Sequence, residues 1–242
     1  MARTLTICCV VLFWTALPCS AQNADEIALK IAAARGGLGQ LRAIKTMVVH
    51  GKLVGPGVNA SILVRLKRNN QIRIELDFGG RVLIQGFDGS VGWQINPFSE
   101  NPAPQQLSGA ELLTLRDQAD IDGVVVNYKD KGHKLELMGK QQVDGKDCFK
   151  LKLTLNTGNL MYLYIDAATF LEIREELVHE GPNGMVEIEE AVGGYKRFGG
   201  LLFATEFDSN SKGSSAHHKL TIEKIDLNAD IDESIFKMPK GK

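Results

Sequence analysis

From Ile44 onward the apolar residues of this chain recur at every second position rather than every third or fourth. A period of two belongs to strands buried on one face. The runs 44–53, 61–66, 71–78, 82–87 and 91–95 carry it, with glycine or asparagine between them, and predict an antiparallel meander. After an interruption the period resumes at 133–138, 149–155, 160–165, 170–178, 185–191, 201–207 and 220–227. About a dozen short strands at hairpin spacing exclude an α/β nucleotide-binding architecture and predict one large curved antiparallel sheet or an open barrel. No linker-like stretch divides the run, so residues 22–242 are expected to form a single domain.

The stretch VLIQGFDGSVGWQINPF, residues 82–98, reads as a hairpin. Asp88-Gly89 suits a two-residue type I′ turn, in which both central residues take positive φ. Phe87 and Ser90 would then flank the turn, setting Ile84 opposite Trp93, Val82 opposite Ile95 and Gly86 opposite Val91. Gln85 and Gln94 fall on the other face, and Pro97 ends the second strand. At Gly79-Gly80 a strict two-residue turn would place Ile74 opposite Gln85, so a bulge or a three-residue loop is expected there.

Two helices are predicted. Asn23 can cap the first, with Glu26 three residues on. Ile27, Ile31, Ala34 and Leu38 make its stripe, and Gly36-Gly37 stops it. The second opens on the capping box Ser108-Gly-Ala-Glu111, presents Leu112, Leu115 and Ala119 on one stripe, and ends near Asp122-Gly123. It interrupts an all-strand pattern, as a lid over one face of the sheet would.

Residues 1–21 read as a cleaved secretory leader. Arg3 is the positive end, 7–17 an apolar core too short to span a bilayer, and Cys19-Ser20-Ala21 a small-residue cleavage site before Gln22. Pro18 fits a lipid-attachment motif at Cys19 poorly. Three of the four cysteines fall in this leader, which leaves Cys148 alone in the exported chain and excludes an internal disulfide or a thiolate zinc site. The formal net charge of −1 provides no field to attract nucleic acid. Short, charged, aromatic-poor strands argue against a transmembrane barrel.

The chemistry-bearing residues form no catalytic kit. His50, His133, His179, His217 and His218 lack metal-ligand spacing, and no phosphate loop or nucleophile elbow occurs. Glu187 and Glu189 alternate with Val186 and Ile188, as on the solvated side of a half-buried strand, and Glu175-Glu176 and Glu190 complete the carboxylate pairs. No cofactor, metal or nucleic acid is expected. An exported hydrolase would require a cleft holding two or more strongly shifted ionisable groups. A strand-rich chain with apolar stripes is instead suited to enclosing alkyl chain, at about 0.8 kcal/mol per buried methylene.

The segments KRNNQIRIELDF and FDGSVGWQINPF resemble the periplasmic lipoprotein carriers of the LolA/LolB-like superfamily, through Lys67, Arg68, Asn70, Asp88, Gly89, Trp93, Asn96, Pro97 and Phe98. Asn69 stands where that family often has proline. YLYIDAATFLEIREELVHEG, residues 162–181, is similar to the family's strand, Asp-x-x-Thr turn and strand, with Gly184 and Tyr195 after it and Ala204 replacing a later proline. The chain looks most like the outer membrane lipoprotein-sorting group. The resemblance implies an unclosed barrel with helices as a lid over a hydrophobic cavity. It implies a role in carrying acylated proteins across the periplasm, between a release complex at the inner membrane and a receptor at the outer one. A related branch on the same fold senses envelope stress and binds a regulator. On this reading Val82, Ile84, Trp93 and Ile95 line the cavity from the sheet, and Leu112, Leu115 and Ala119 from the lid.

Overall fold

The computed structural model describes residues 23–181 and 184–240; the expected leader, its cleavage point and Cys19 lie outside them. The chain begins with helices α1 (Ala24–Ala34) and α2 (Leu38–Ala43), followed by strands β1 (Thr46–Gly55), β2 (Val58–Lys67), β3 (Gln71–Asp77), β4 (Val82–Phe87), β5 (Gly92–Ile95) and β6 (Gln105–Gln106). Helix α3 (Gly109–Gln118) and a turn-rich segment lead to β7 (Lys134–Val143), β8 (Lys146–Thr154), β9 (Leu160–Asp166), β10 (Glu172–Gly181) and β11 (Gly184–Gly193). A small ribbon of β12 (Lys196–Phe198) and β13 (Leu201–Phe203) precedes β14 (Glu206–Ser211), β15 (His218–Leu227) and a closing 3-10 turn, Glu233–Phe236.

Thirteen strands form one antiparallel sheet in the order β6-β5-β4-β3-β2-β1-β15-β14-β11-β10-β9-β8-β7. The early and late meanders are joined where β1 pairs with β15, Val49 opposite Ile225. The end strands β6 and β7 do not pair with each other, so the barrel is open. This is the mainly β, lidded open barrel expected from the sequence, with three α-helices rather than two among the described residues. Helix α2 is six residues long, too short for a periodic signal, and it takes Leu38, which the spacing had assigned to the stripe of α1.

Helix α1 follows its sequence signals. Asn23 Oδ1 accepts from the Glu26 amide at 2.9 Å, and Gly36 and Gly37 end the helix at φ 123 and 95. Helix α3 does so only in part. Its stripe is inward, but Ser108 makes no side-chain cap bond. It also ends at Gln118, short of Asp122-Gly123.

Two turns differ from expectation. Gly79 and Gly80 both take positive φ, 72 and 96, and close a strict two-residue turn in which Phe78 N donates to Arg81 O. Two glycines adopt that geometry without steric cost, so no bulge is needed and Ile74 does stand opposite Gln85. At 88–91 the turn is as short as predicted but sits one residue further along: Asp88 N donates to Val91 O, and Gly89 and Ser90 are its central residues. Asp88 Oδ1 accepts from the amides of Ser90 and Val91 at 2.9 and 2.8 Å, and only Gly89 takes positive φ. The register therefore moves by two: Gly86 stands opposite Trp93 and Ile84 opposite Ile95. A shift of two preserves the face of every side chain. Asn69 and Asn70, at φ 71 and 57, shape the turn before β3, a conformation closed to proline.

One face of the sheet carries nearly all the core. Beneath α2, α3 and the segment 119–126 lie Met47, Val49, Leu66, Ile72, Phe87, Ile222 and Ile225. Beneath α1 lie Phe149, Leu151, Leu153, Leu163 and Ile165. The opposite face carries less: a small cluster of Cys148, Val143 and Tyr164, and Trp93 buried with Phe236 of the closing 3-10 turn. Cys148 is buried there with the parity read from the sequence, and burial pushes its thiol up, away from the reactive thiolate.

Candidate functional site

The residues expected to face one another across a cavity are divided between the two sides of the sheet. Phe87 stands opposite Ile72 and Gly92, and a methyl added at Gly92 would meet Leu112. Helix α3 therefore rides on that face, where Leu115 and Ala119 are fully buried in the core. Trp93 has the opposite parity. Its indole lies against Gly86 and donates from Nε1 to Phe236 O at 2.7 Å, while the Arg73 guanidinium sits 5.5 Å above the ring. Val82, Ile84 and Ile95 share the Trp93 face by strand alternation and pairing. So Leu112, Leu115 and Ala119 belong to the lidded side, whereas Val82, Ile84, Trp93 and Ile95 belong to the outer side, covered in part by the closing 3-10 turn. The parity among these residues was legible. Which face meets the helices was not, because Ile72, Leu83 and Phe87 make the other parity equally apolar.

The hollow on the lidded side lies elsewhere, between α1, the segment 123–125 and strands β9, β10 and β11. Its volume is about 330 Å³, within the usual range of small-molecule sites. Ile31, Met161, Ile165, Phe170, Val192 and Phe207 contribute apolar walls. Arg35, the C-cap of α1, reaches across it. Its Nη1 donates to Asp122 O at 3.1 Å and its guanidinium lies 5.8 Å from the Phe203 ring. Arg68 ties the same segment from the sheet side, with both terminal nitrogens on the Asp122 carboxylate at 2.8 and 2.9 Å and a further bond to Leu41 O. Burial raises the Asp122 carboxyl, but the Arg68 hydrogen bonds outweigh it and hold the group below the usual carboxylate range. Two arginines therefore fasten the segment that roofs the hollow.

The floor of the hollow is acidic. Glu175 stands opposite Leu163 on β9 and opposite Glu190 on β11, so both carboxylates point to the lidded face. Glu172, three residues earlier, would point outward in a regular strand. A bulge between Glu172 and Arg174 returns it to the same face, opposite Ile165. Glu172 Oε1 is cut off from solvent and has no hydrogen-bond partner. Tyr195 donates its hydroxyl to Glu172 O at 2.9 Å and lines the same space. Burial pushes Glu172 well above the usual carboxylate range, and Glu175 adds to it against the pull of Arg35. Burial likewise raises Glu175, and raises Glu190 to about 8 with help from the charges of Glu175 and Asp208. Tyr195 is raised and Arg35 lowered by the same cause.

This is a cleft with several shifted ionisable groups, the feature that an exported hydrolase would require. The shifts, however, all favour the protonated carboxyl. An acid–base pair needs its two carboxylates pushed apart, one held neutral and one ionised. No histidine, serine or cysteine lines the hollow among the described residues. The floor therefore provides hydrogen-bond donors and latent negative charge, a binding chemistry. Reading the carboxylate pairs as solvated fits Glu187, which is exposed and pairs with Lys212. Glu190 and Glu175 carried a different signal, since each has the parity of an apolar neighbour, Ile188 and Leu177. Glu172 carried none, because its direction depends on the bulge.

No family model and no curated protein matches the chain. Solved structures do. A DUF1329 family protein from Desulfovibrio piger superposes with a TM-score of 0.62 at 13% identity, covering 89% of this chain and 98% of that one. A LolA superfamily protein from Nitrosomonas europaea gives 0.60 at 18% identity over 90% and 98%. A putative outer membrane lipoprotein-sorting protein domain from Vibrio parahaemolyticus gives 0.56 at 12% identity over 87% and 94%. The chain has the LolA/LolB-like fold.

Proposed function

We propose that this LolA/LolB-like open barrel is a periplasmic carrier that shields acyl chains of a lipid or a lipidated protein during outer-membrane lipoprotein sorting. The observation that carries the reading is the apolar-walled hollow between the sheet and α1, roofed by a segment held through Arg35 and Arg68. Transfer of alkyl chain into such a space is driven by burial of apolar surface and requires no catalytic group. Its lining runs through Met161, Ile165, Phe170 and Phe207. Leu112, Leu115 and Ala119 would join it only when α3 lifts from the core. The reading places the chain after export, with residues 1–21 removed, and gives it a release complex at the inner membrane and a receptor at the outer one.

Native mass spectrometry of protein purified from the periplasm of its own host tests the reading directly. The expected result is bound lipid or acylated polypeptide, together with saturable uptake of a fluorescent fatty acid by the emptied protein. Replacing Ala204, which borders the hollow, by tryptophan should fill the space and abolish that uptake while the circular dichroism spectrum is kept. Protein that emerges empty and takes up no alkyl probe would rule the carrier out.

A further inference from the structure

We propose that a polar cleft between α3, the segment 120–133 and the turn joining β8 to β9 binds a neutral saccharide ring. The inference goes beyond the carrier reading and does not depend on it.

The cleft has a volume of about 350 Å³, within the usual range of small-molecule sites. Val124 borders both it and the apolar hollow, and every other side chain lining the cleft is polar. Its walls are fixed from within. Thr157 Oγ1 donates to the Asp117 carboxylate at 2.9 Å and Asn159 Nδ2 at 2.6 Å, which ties α3 to the turn. Asn156 ties the turn to the segment, with Nδ2 donating to Lys131 O at 2.8 Å and the backbone amide donating to His133 Nδ1 at 3.0 Å. Lys131 Nζ is held by Asp120 and by Gly123 O. These bonds set the shape of the cleft before a ligand arrives, so little ordering opposes binding.

What the internal bonds leave over defines the ligand. Burial, and then the Lys131 charge, lower His133 and keep its ring neutral. With Nδ1 accepting, that ring carries its proton on Nε2, a donor left for a ligand. The Arg116 guanidinium and the Asn70 amide make no hydrogen bond or ion pair among the described residues and add further donors. The Asp130 carboxylate and Asn156 Oδ1 are acceptors left over in the same way. Spare donors and spare acceptors thus share one space. A saccharide hydroxyl donates and accepts at once, so a ring bearing several satisfies both kinds. A simple anion would face Asp117, Asp120 and Asp130, and a simple cation would face Arg116 and Lys131. An alkyl chain would strip these polar groups of water and replace no hydrogen bond.

Isotope-labelled protein spanning residues 22–242 is titrated with glucose, octyl glucoside, octanol, inorganic phosphate and ethylammonium. Binding is followed through the side-chain resonances of Arg116 and His133 and the amide of Asn156. Saturable shifts at all three are expected with glucose. Equal affinity for octyl glucoside marks a soluble saccharide as the source of the ring. Octyl glucoside binding at least about tenfold tighter than glucose and octanol marks a glycolipid head group, and either result supports the cleft. Arg116→Met and Asp130→Ala alter exposed side chains that make no internal bond. Each should weaken glucose binding about tenfold while the circular dichroism spectrum is kept. Shifts with phosphate or ethylammonium as large as those with glucose overturn the inference, as does the absence of shifts with both glucose and octyl glucoside. Octyl glucoside that behaves as octanol does, moving Val192 in the hollow but neither Arg116 nor His133, overturns the saccharide site and leaves the carrier standing.

Discussion

At the scale of single residues, two glycines in neighbouring strands separate packing that can yield from packing that cannot. A methyl on Gly86 would run into the indole of Trp93, which is fully buried and held by its bond to Phe236 O. Gly86→Ala is expected to cost about 1–3 kcal/mol, the usual price of overpacking a fixed neighbour. A methyl on Gly92 would meet only the tip of the Leu112 side chain, which can rotate away. Gly92→Ala should therefore cost less than about 1 kcal/mol. Urea midpoints of the two variants make the comparison. Trp93 is the only tryptophan in residues 22–242, so its emission should shift in the first variant and hold in the second. A larger loss for Gly92→Ala would mean that α3 is fixed more rigidly than the Trp93 layer.

At the scale of elements, helices α1 and α3 carry the same written start signal but only one uses it. Asn23 caps α1 through its side chain, and Ser108 leaves α3 uncapped. Asn23→Ala is expected to lower stability by about 1 kcal/mol, and Ser108→Ala by less than about 0.5 kcal/mol. Thermal denaturation of both variants checks it, and equal losses would show that the Ser108 hydroxyl caps α3 in solution. The sheet elements show the same limit on local signals. Nearly every strand was legible from the period of two, because alternation is written directly into the residues. The strand predicted over 201–207 splits into β13 and β14. Turn positions were less legible. The Asp88 carboxylate bonds the amides of Ser90 and Val91, and the two-residue turn falls on Gly89-Ser90 rather than on Asp88-Gly89, whereas Gly79-Gly80 closes on the two glycines themselves.

At the scale of the whole molecule, stability is expected to decline through the neutral range. Glu172, Glu175 and Glu190 have folded-state pKa values raised above their unfolded ones. Their contribution is complete below the unfolded carboxylate range and is lost as pH rises through the folded values, which for Glu190 is about 8. Asp122 and Glu75 are held low, so their contribution is present above the unfolded range and lost only in acid. Urea midpoints should therefore fall between pH 5.5 and pH 8.5, and Glu190→Gln should flatten that fall. A midpoint that rises over the interval would show that the carboxyls are ionised in the folded protein.

The order of residues by itself determined the strand-rich architecture, the parity of each side chain within its strand and the start of α1, because these depend on neighbours a few positions apart. Tertiary structure alone decided which face the helices cover and where the hollow opens. With Trp93 and Phe87 adjacent and both apolar, alternation offers two equivalent faces, and only packing against α3 on one and Phe236 on the other tells them apart. It also decided that Glu172 joins Glu175 and Glu190, since a bulge one residue long reverses a side chain without leaving a mark in the hydrophobic pattern.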